Sequence, residues 1–112
     1  MKKLFILSLC FLLSLTCVRA SLPLTGKIII LDIGHGGDDP GTSYQNILEK
    51  DLNLAIGLEL EKELSRNGAS VILTREGDYD LSSPNAPRRK KSDFDNRIDL
   101  INKSKANVYL SI

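Results

Sequence analysis

Cysteine is nearly absent from this sequence: only Cys10 and Cys17 occur, both near its start. A chain cut after Ala20 keeps no thiol, which excludes disulfide stapling, thiol redox chemistry and a cysteine-ligated zinc site. There is no apolar run of the ~20 residues that a membrane-spanning helix needs. The longest such stretch, Leu4 to Leu15, follows Lys2 and Lys3 and precedes Val18-Arg19-Ala20. That order marks residues 1–20 as a signal peptide to be removed after Ala20. Lipoprotein processing at Cys17 is disfavoured, because Ser14 and Thr16 fit the positions before such a cysteine poorly.

An excess of one charge is also missing. The leader holds Lys2, Lys3 and Arg19 of the fifteen basic residues and none of the fourteen acidic ones, leaving a formal charge of −2 on residues 21–112. Nothing there favours nucleic acid as a partner, and the leader alone connects the chain to a membrane. Internal repeats and low-complexity segments are lacking too. Residues 21–112 have room for one small domain.

What the sequence contains is an alternation. Lys27 to Asp32 is a short β-branched apolar run, the mark of a strand covered on both faces. Residues 34–41, rich in glycine and ending in Asp39-Pro40-Gly41, form a loop. From Glu49 to Arg66, Leu52, Ile56, Leu60 and Leu64 recur every four residues, predicting an amphipathic helix stopped by Asn67-Gly68. Ala69 to Arg75 repeats the strand pattern. Residues 76–92 read as a long exposed loop carrying the cluster Arg88-Arg89-Lys90-Lys91, and Asp93 to Ser104 as a helix capped by Ser92 or Asp93, with Phe94, Ile98 and Ile101 inward. Asn107 to Ile112 begins a third strand. The expected class is α/β: an open, mostly parallel sheet with helices on both faces, truncated after the third strand.

In such sheets functional groups gather at the carboxyl ends of the strands. His35, the sole histidine, lies three residues past Asp32 on that edge. A lone histidine is usually a solvated loop residue, but Gly34, Gly36 and Gly37 let backbone approach an ion closely. One imidazole nitrogen could bind zinc while the other donates to a carboxylate such as Asp32. Glu49 opens the first helix, where the dipole already favours a carboxylate. Asp39 and Asp51 are further acidic candidates that spacing cannot choose among, Asp51 reading more as helix-start charge. The basic cluster from Arg88 to Lys91 could meet an anionic polymer or a partner protein, although four charges on a loop are commonly just solvated. Arg75 and Arg97 could hold loops by hydrogen bonds.

The segments Ile30-Leu31-Asp32-Ile33-Gly34-His35-Gly36-Gly37-Asp38-Asp39-Pro40-Gly41, Glu49-Lys50-Asp51-Leu52-Asn53-Leu54, Val71-Ile72-Leu73-Thr74-Arg75 and Asn107-Val108-Tyr109-Leu110-Ser111-Ile112 together resemble the zinc-dependent N-acetylmuramoyl-L-alanine amidases of bacterial cell walls. Asp78-Tyr79-Asp80-Leu81 and the run from Phe94 to Asn102 look most like the germination-specific branch of spore formers. The resemblance implies an extracytoplasmic hydrolase of cell wall or spore envelope that cuts the amide between N-acetylmuramic acid and L-alanine. It implies zinc as cofactor, His35 and Glu49 as metal ligands, and Asp32, Gly34, Gly36 and Arg75 in support. Peptidoglycan is the implied partner, and any activator protein is left unspecified.

Two departures stand out. Ile33 replaces the family's usual proline, with little effect expected because it supplies no ligand. The family's second ligand histidine and its catalytic glutamate would follow Ile112, so residues 21–112 correspond to the N-terminal part of a catalytic domain, expected to be inactive alone. The other reading of such a chain is a catalytically inactive truncated module that binds wall or is regulated by a partner. Another metallohydrolase on a similar sheet is disfavoured by the joint match.

Overall fold

The computed structural model describes residues 21–112; the expected signal peptide lies outside the described residues. Strand β1 (Ile28–Asp32) is the centre of a three-stranded parallel sheet, flanked by β4 (Ser70–Leu73) on one side and β5 (Val108–Ser111) on the other. Ile30 faces Ile72 in β4 and Tyr109 in β5. The β-branched run predicts this doubly covered position: Ile29, Ile30, Leu31 and the following Ile33 are the buried apolar core. Asn107 sets the register of β5, its side chain accepting from the Ile28 amide while its own amide donates to the Ile28 carbonyl, both at 2.8 Å.

Helix α1 (Glu49–Arg66) joins β1 to β4, and α2 (Arg89–Ser104) joins β4 to β5. Asp32 points to α2, bonding Arg97, whereas Ile33 packs on Gly57 of α1. Successive side chains of a strand face opposite ways, so the helices cover opposite faces. The expected α/β arrangement is therefore present. Helix α1 has its predicted limits and closes in a Schellman motif: Ala69 N donates to Leu64 O, Gly68 N donates to Ser65 O, and Gly68 has φ +96.

Three local readings differ from the sequence expectation. The loop before α1 contains a small hairpin, β2 (Ser43–Tyr44) with β3 (Ile47–Leu48), turned by Gln45 and Asn46, both with positive φ as a type I′ turn requires. Helix α2 begins four residues early and takes in Arg89, Lys90 and Lys91. Neither Ser92 nor Asp93 caps it, because both are used across the fold: Ser92 Oγ accepts from Ser83 N, and Asp93 Oδ1 accepts from Leu81 N. Basic residues at a helix start oppose the dipole, and Arg89 offsets this by pairing with Asp80.

The inner faces differ as well. In α1, Asn53 and Gly57 are buried while Leu52 and Ile56 are exposed. The missing side chain of Gly57 lets the helix settle onto Ile33, whose Cδ1 would lie 2.4 Å from a Cβ placed there. In α2, Asp93 and Arg97 face inward and Phe94 and Ile98 outward. Among the described residues no helix is long and apolar enough to cross a membrane.

Candidate metal centre at the carboxyl edge of the sheet

After β1 the chain turns sharply. Gly36 and Asp39 exchange backbone hydrogen bonds at 2.9 and 3.0 Å, and His35 itself takes a left-handed φ of 62°. This turn carries the Asp39 carboxylate, four residues on, back over the His35 ring: Asp39 Oδ2 is 3.0 Å from Nδ1. A carboxylate can only accept, so Nδ1 is placed to donate to Asp39, and Nε2 faces the other way. There it meets Glu49 Oε1 at 3.3 Å. Burial pulls the Asp39 carboxyl upward, but the bonds it accepts from His35 and the Gly41 amide hold it below the ordinary value of 3.8. Glu49 is lowered first by the bond from the Thr42 amide to its second oxygen, 2.7 Å.

The separation of Nε2 and Oε1 fits one zinc ion. Bonds of ~2.0–2.2 Å at a tetrahedral angle place two ligand atoms about 3.3–3.6 Å apart. Among the described residues, no group of three or more His, Cys, Asp or Glu side chains is arranged to hold a metal. The site therefore brings together one imidazole and one carboxylate at a spacing that a single ion could bridge.

The glycine loop is packed from outside by residues 77–80. Gly36, at φ +128, approaches so near that a Cβ would lie 2.2 Å from Tyr79 O. The Gly37 amide donates to Asp78, and Lys50 Nζ bridges Gly37 O and Asp78 Oδ2, each at 2.8 Å. From inside, Arg75 donates to the carbonyls of Ile33, Gly34, Lys50 and Gly77. Arg97 donates to Asp93, Asp32, Ile33 O and His35 O. Burial lowers Arg75, helped by the charge of Arg97. Burial also pulls Arg97 down, but its bonds to Asp32 and Asp93 outweigh that and raise it.

The structure thus brings His35 and Glu49 together and sets Gly36 and Arg75 against their loop. Gly34 is close-packed too, a Cβ there lying 2.8 Å from Ile112 O. Asp32 is not the partner of the imidazole. Its carboxylate lines the same cleft as His35 but bonds Arg97 and the Tyr109 hydroxyl, and Asp39 takes the place suggested for it. Asp51 is exposed on the first turn of α1. The basic cluster is also at hand: Lys90 Nζ lies 3.7 Å from Asp39 Oδ2, and Lys90 lines a cleft of about 260 Å³ with His35, Asp39, Phe94 and Arg97. Sequence reasoning missed the Lys50–Asp78 brace. Its only signal was an acidic residue in the loop following the second strand of a βαβ unit.

A parallel sheet with a histidine–glutamate pair over the carboxyl end of its first strand is an α/β domain that gathers its polar groups at the strand ends. The chain belongs to the N-acetylmuramoyl-L-alanine amidase family, whose model matches residues 29–112. It is 47% identical over 95 residues to the germination-specific N-acetylmuramoyl-L-alanine amidase of Bacillus subtilis (strain 168), covering 82% of this chain and 40% of that protein. Among solved structures it resembles the CwlD amidase of Clostridioides difficile in complex with the GerS lipoprotein, with a TM-score of 0.72 and 41% identity over 77% of this chain and 47% of that one. The amidase AmiC2 of Nostoc punctiforme matches with a TM-score of 0.62 and 27% identity, covering 78% and 43%. The chain therefore spans less than half the length of each of these relatives.

Proposed function

We propose that this chain is the N-terminal part of the catalytic domain of an exported, zinc-dependent peptidoglycan amidase that cuts between N-acetylmuramic acid and L-alanine, in spore cortex maturation or germination. The observation that carries this reading is the His35 Nε2 to Glu49 Oε1 separation of 3.3 Å. In it, His35 and Glu49 hold the metal, Asp39 retains the proton on Nδ1, and Thr42 N fixes the second oxygen of Glu49. Zinc bound there supplies a water whose pKa is lowered to about 7 and a Lewis acid for the amide carbonyl. A catalytic zinc takes three protein ligands, and among the described residues this reading assigns two, with no proton-transferring glutamate.

Residues 1–20 act as the leader in this proposal, and peptidoglycan, an extracytoplasmic polymer, is the substrate. A protein partner is proposed as well, by analogy with the solved relative in complex with a lipoprotein. The test is to incubate the full-length gene product and the 112-residue chain with purified peptidoglycan, with zinc or with a chelator, and count new L-alanine amino termini. Release by the long form should need zinc and vanish in His35→Ala, while the short form releases none. Chelator-resistant release, or an active His35→Ala protein, would overturn the metal reading. Zinc-dependent release by the short form would overturn the ligand count. An inactive long form that still binds peptidoglycan would favour the non-catalytic module.

A further inference from the structure

We propose that Arg97 is the positioning residue of this site: its guanidinium, assisted by Arg75, locks the backbone of residues 33–35 and so aims the His35 imidazole at Glu49 before any metal arrives. The inference rests on the proposed function only in taking His35 and Glu49 as the ligand pair.

Three consecutive carbonyls carry the argument. Ile33 O accepts from Arg97 Nη1 at 2.7 Å and from Arg75 Nε at 3.1 Å, Gly34 O accepts from Arg75 Nη2 at 2.9 Å, and His35 O accepts from Arg97 Nη2 at 2.9 Å. Peptide groups leaving a strand normally turn to solvent or to a neighbouring strand. Here all three are fixed by two planar forks, just where the backbone enters the left-handed φ of His35, a conformation uncommon for a residue with a Cβ. The ring orientation follows from that φ, since the Asp39 bond to Nδ1 exists only while the turn keeps its shape.

Arg97 is itself held rigidly. Asp93 accepts from its Nε at 3.0 and 3.1 Å, and Asp32 accepts from Nη1 at 2.8 Å. Its side chain is 4% exposed, and its charge lies between two carboxylates, so a cation can be tolerated beside a metal site. This is also an unusual use of the inner face of α2, because buried ion pairs contribute little to stability compared with apolar packing, while Phe94 and Ile98 on the same helix are left outside. Geometry at His35 accounts for the choice. Lysine, with a single point charge on a flexible stem, cannot satisfy acceptors on two carboxylates and two carbonyls together.

The sole histidine of the sequence makes the test direct. The metal-free chain is labelled with ¹⁵N only in histidine, and its two ring-nitrogen resonances are followed at a pH where the imidazole is neutral. In the parent chain they should be widely separated, as a ring held in one orientation with its shorter contact from Nδ1 to Asp39 requires. In Arg97→Lys the separation should fall by more than half, while the amide spectrum stays dispersed. Should Arg97→Lys fail to fold, Asp93→Asn, which releases the guanidinium from one side, should show the same averaging. Unchanged ring resonances in a folded variant would overturn the proposal and leave Arg97 a purely structural residue. Because no metal is present, this outcome is independent of whether zinc binds, which a separate zinc titration of the parent chain reads.

Discussion

Gly41→Ala tests the proposed site most sharply, because Gly41 lies against both Glu49 and His35. A Cβ at this position would lie 2.6 Å from Glu49 Oε2, 2.8 Å from Glu49 Cβ and 2.8 Å from His35 Cδ2, and the residue has φ +66. The left-handed conformation alone costs alanine about 1–2 kcal/mol. Glu49 Oε2 can swing aside, at the loss of its bond from Thr42 N, but Glu49 Cβ is fixed by α1 and the ring by Asp39. Overpacking of this kind costs about 1–3 kcal/mol, so the variant should lose about 2–5 kcal/mol in total. Gly26→Ala is the reference: Gly26 has φ +76 and nothing within 4 Å of the added atom, so it carries the conformational cost alone. Urea unfolding of both variants gives the steric part by difference. Spreading His35 from Glu49 should also weaken zinc binding at least tenfold in the full-length protein, about 1.4 kcal/mol, measured against a competing chelator. If Gly41→Ala is no less stable than Gly26→Ala and binds zinc like the parent, the contact between the two ligands is not as described.

Asp39→Asn should lower zinc affinity by about 10–100-fold with the fold intact, since it weakens the partner that fixes the ring; an isothermal titration showing no change would transfer that role to another group. Ile33→Pro, the family's usual residue, should destabilise by about 2 kcal/mol or more, the scale of a core truncation, because it removes a fully buried side chain and the amide that donates to Thr74 Oγ1; a urea midpoint equal to the parent's would refute this. Asp39, Glu49 and Asp78 are all held below their ordinary values. Groups lowered on folding stabilise the native state above their unfolded values and lose that contribution as pH falls through the folded ones. Urea midpoints should therefore be level from about pH 7 to 5 and drop towards about pH 3, and a midpoint that stays level over the whole range would contradict these assignments.

The sheet was legible because its strands are short apolar runs and α1 has a clear glycine stop; the places of His35 and Glu49 at strand end and helix start were legible too, but spacing left Glu49 level with Asp39 and Asp51, and only the family resemblance paired it with His35. The inner faces of the helices were not legible. Periodicity selects the apolar stripe Leu52–Ile56, yet Gly57 permits the closer approach and turns the helix so that Asn53 and Gly57 face inward. Hydropathy likewise cannot show that Asp93 and Arg97 are buried, since the burial of this pair depends on carboxylate and carbonyl partners over sixty positions away in sequence. Asp39 could not be chosen over Asp32 from spacing, because the choice depends on a backbone turn that reverses direction within four residues. Ile33 has no visible role in the sequence beyond a loss of rigidity; the structure gives it a donor to Thr74 and a seat on Gly57 instead.

The central place of β1 has a consequence for the order in which the molecule assembles. Its first neighbour, β4, lies about forty residues later, and its second, β5, 79 residues on, counted from Ile28 to Asn107. Closing the longer loop rather than the shorter costs only about 0.6 kcal/mol more, so entropy hardly separates the two events; availability does. A chain that emerges amino-terminus first presents His35 early, pairs β1 with β4 once α1 is complete, and waits for Arg97, 62 positions beyond His35, to close the loop. Over that interval the imidazole belongs to an unfinished unit of sheet and helix, and the loop that carries it gains its last hydrogen bonds only with the docking of α2.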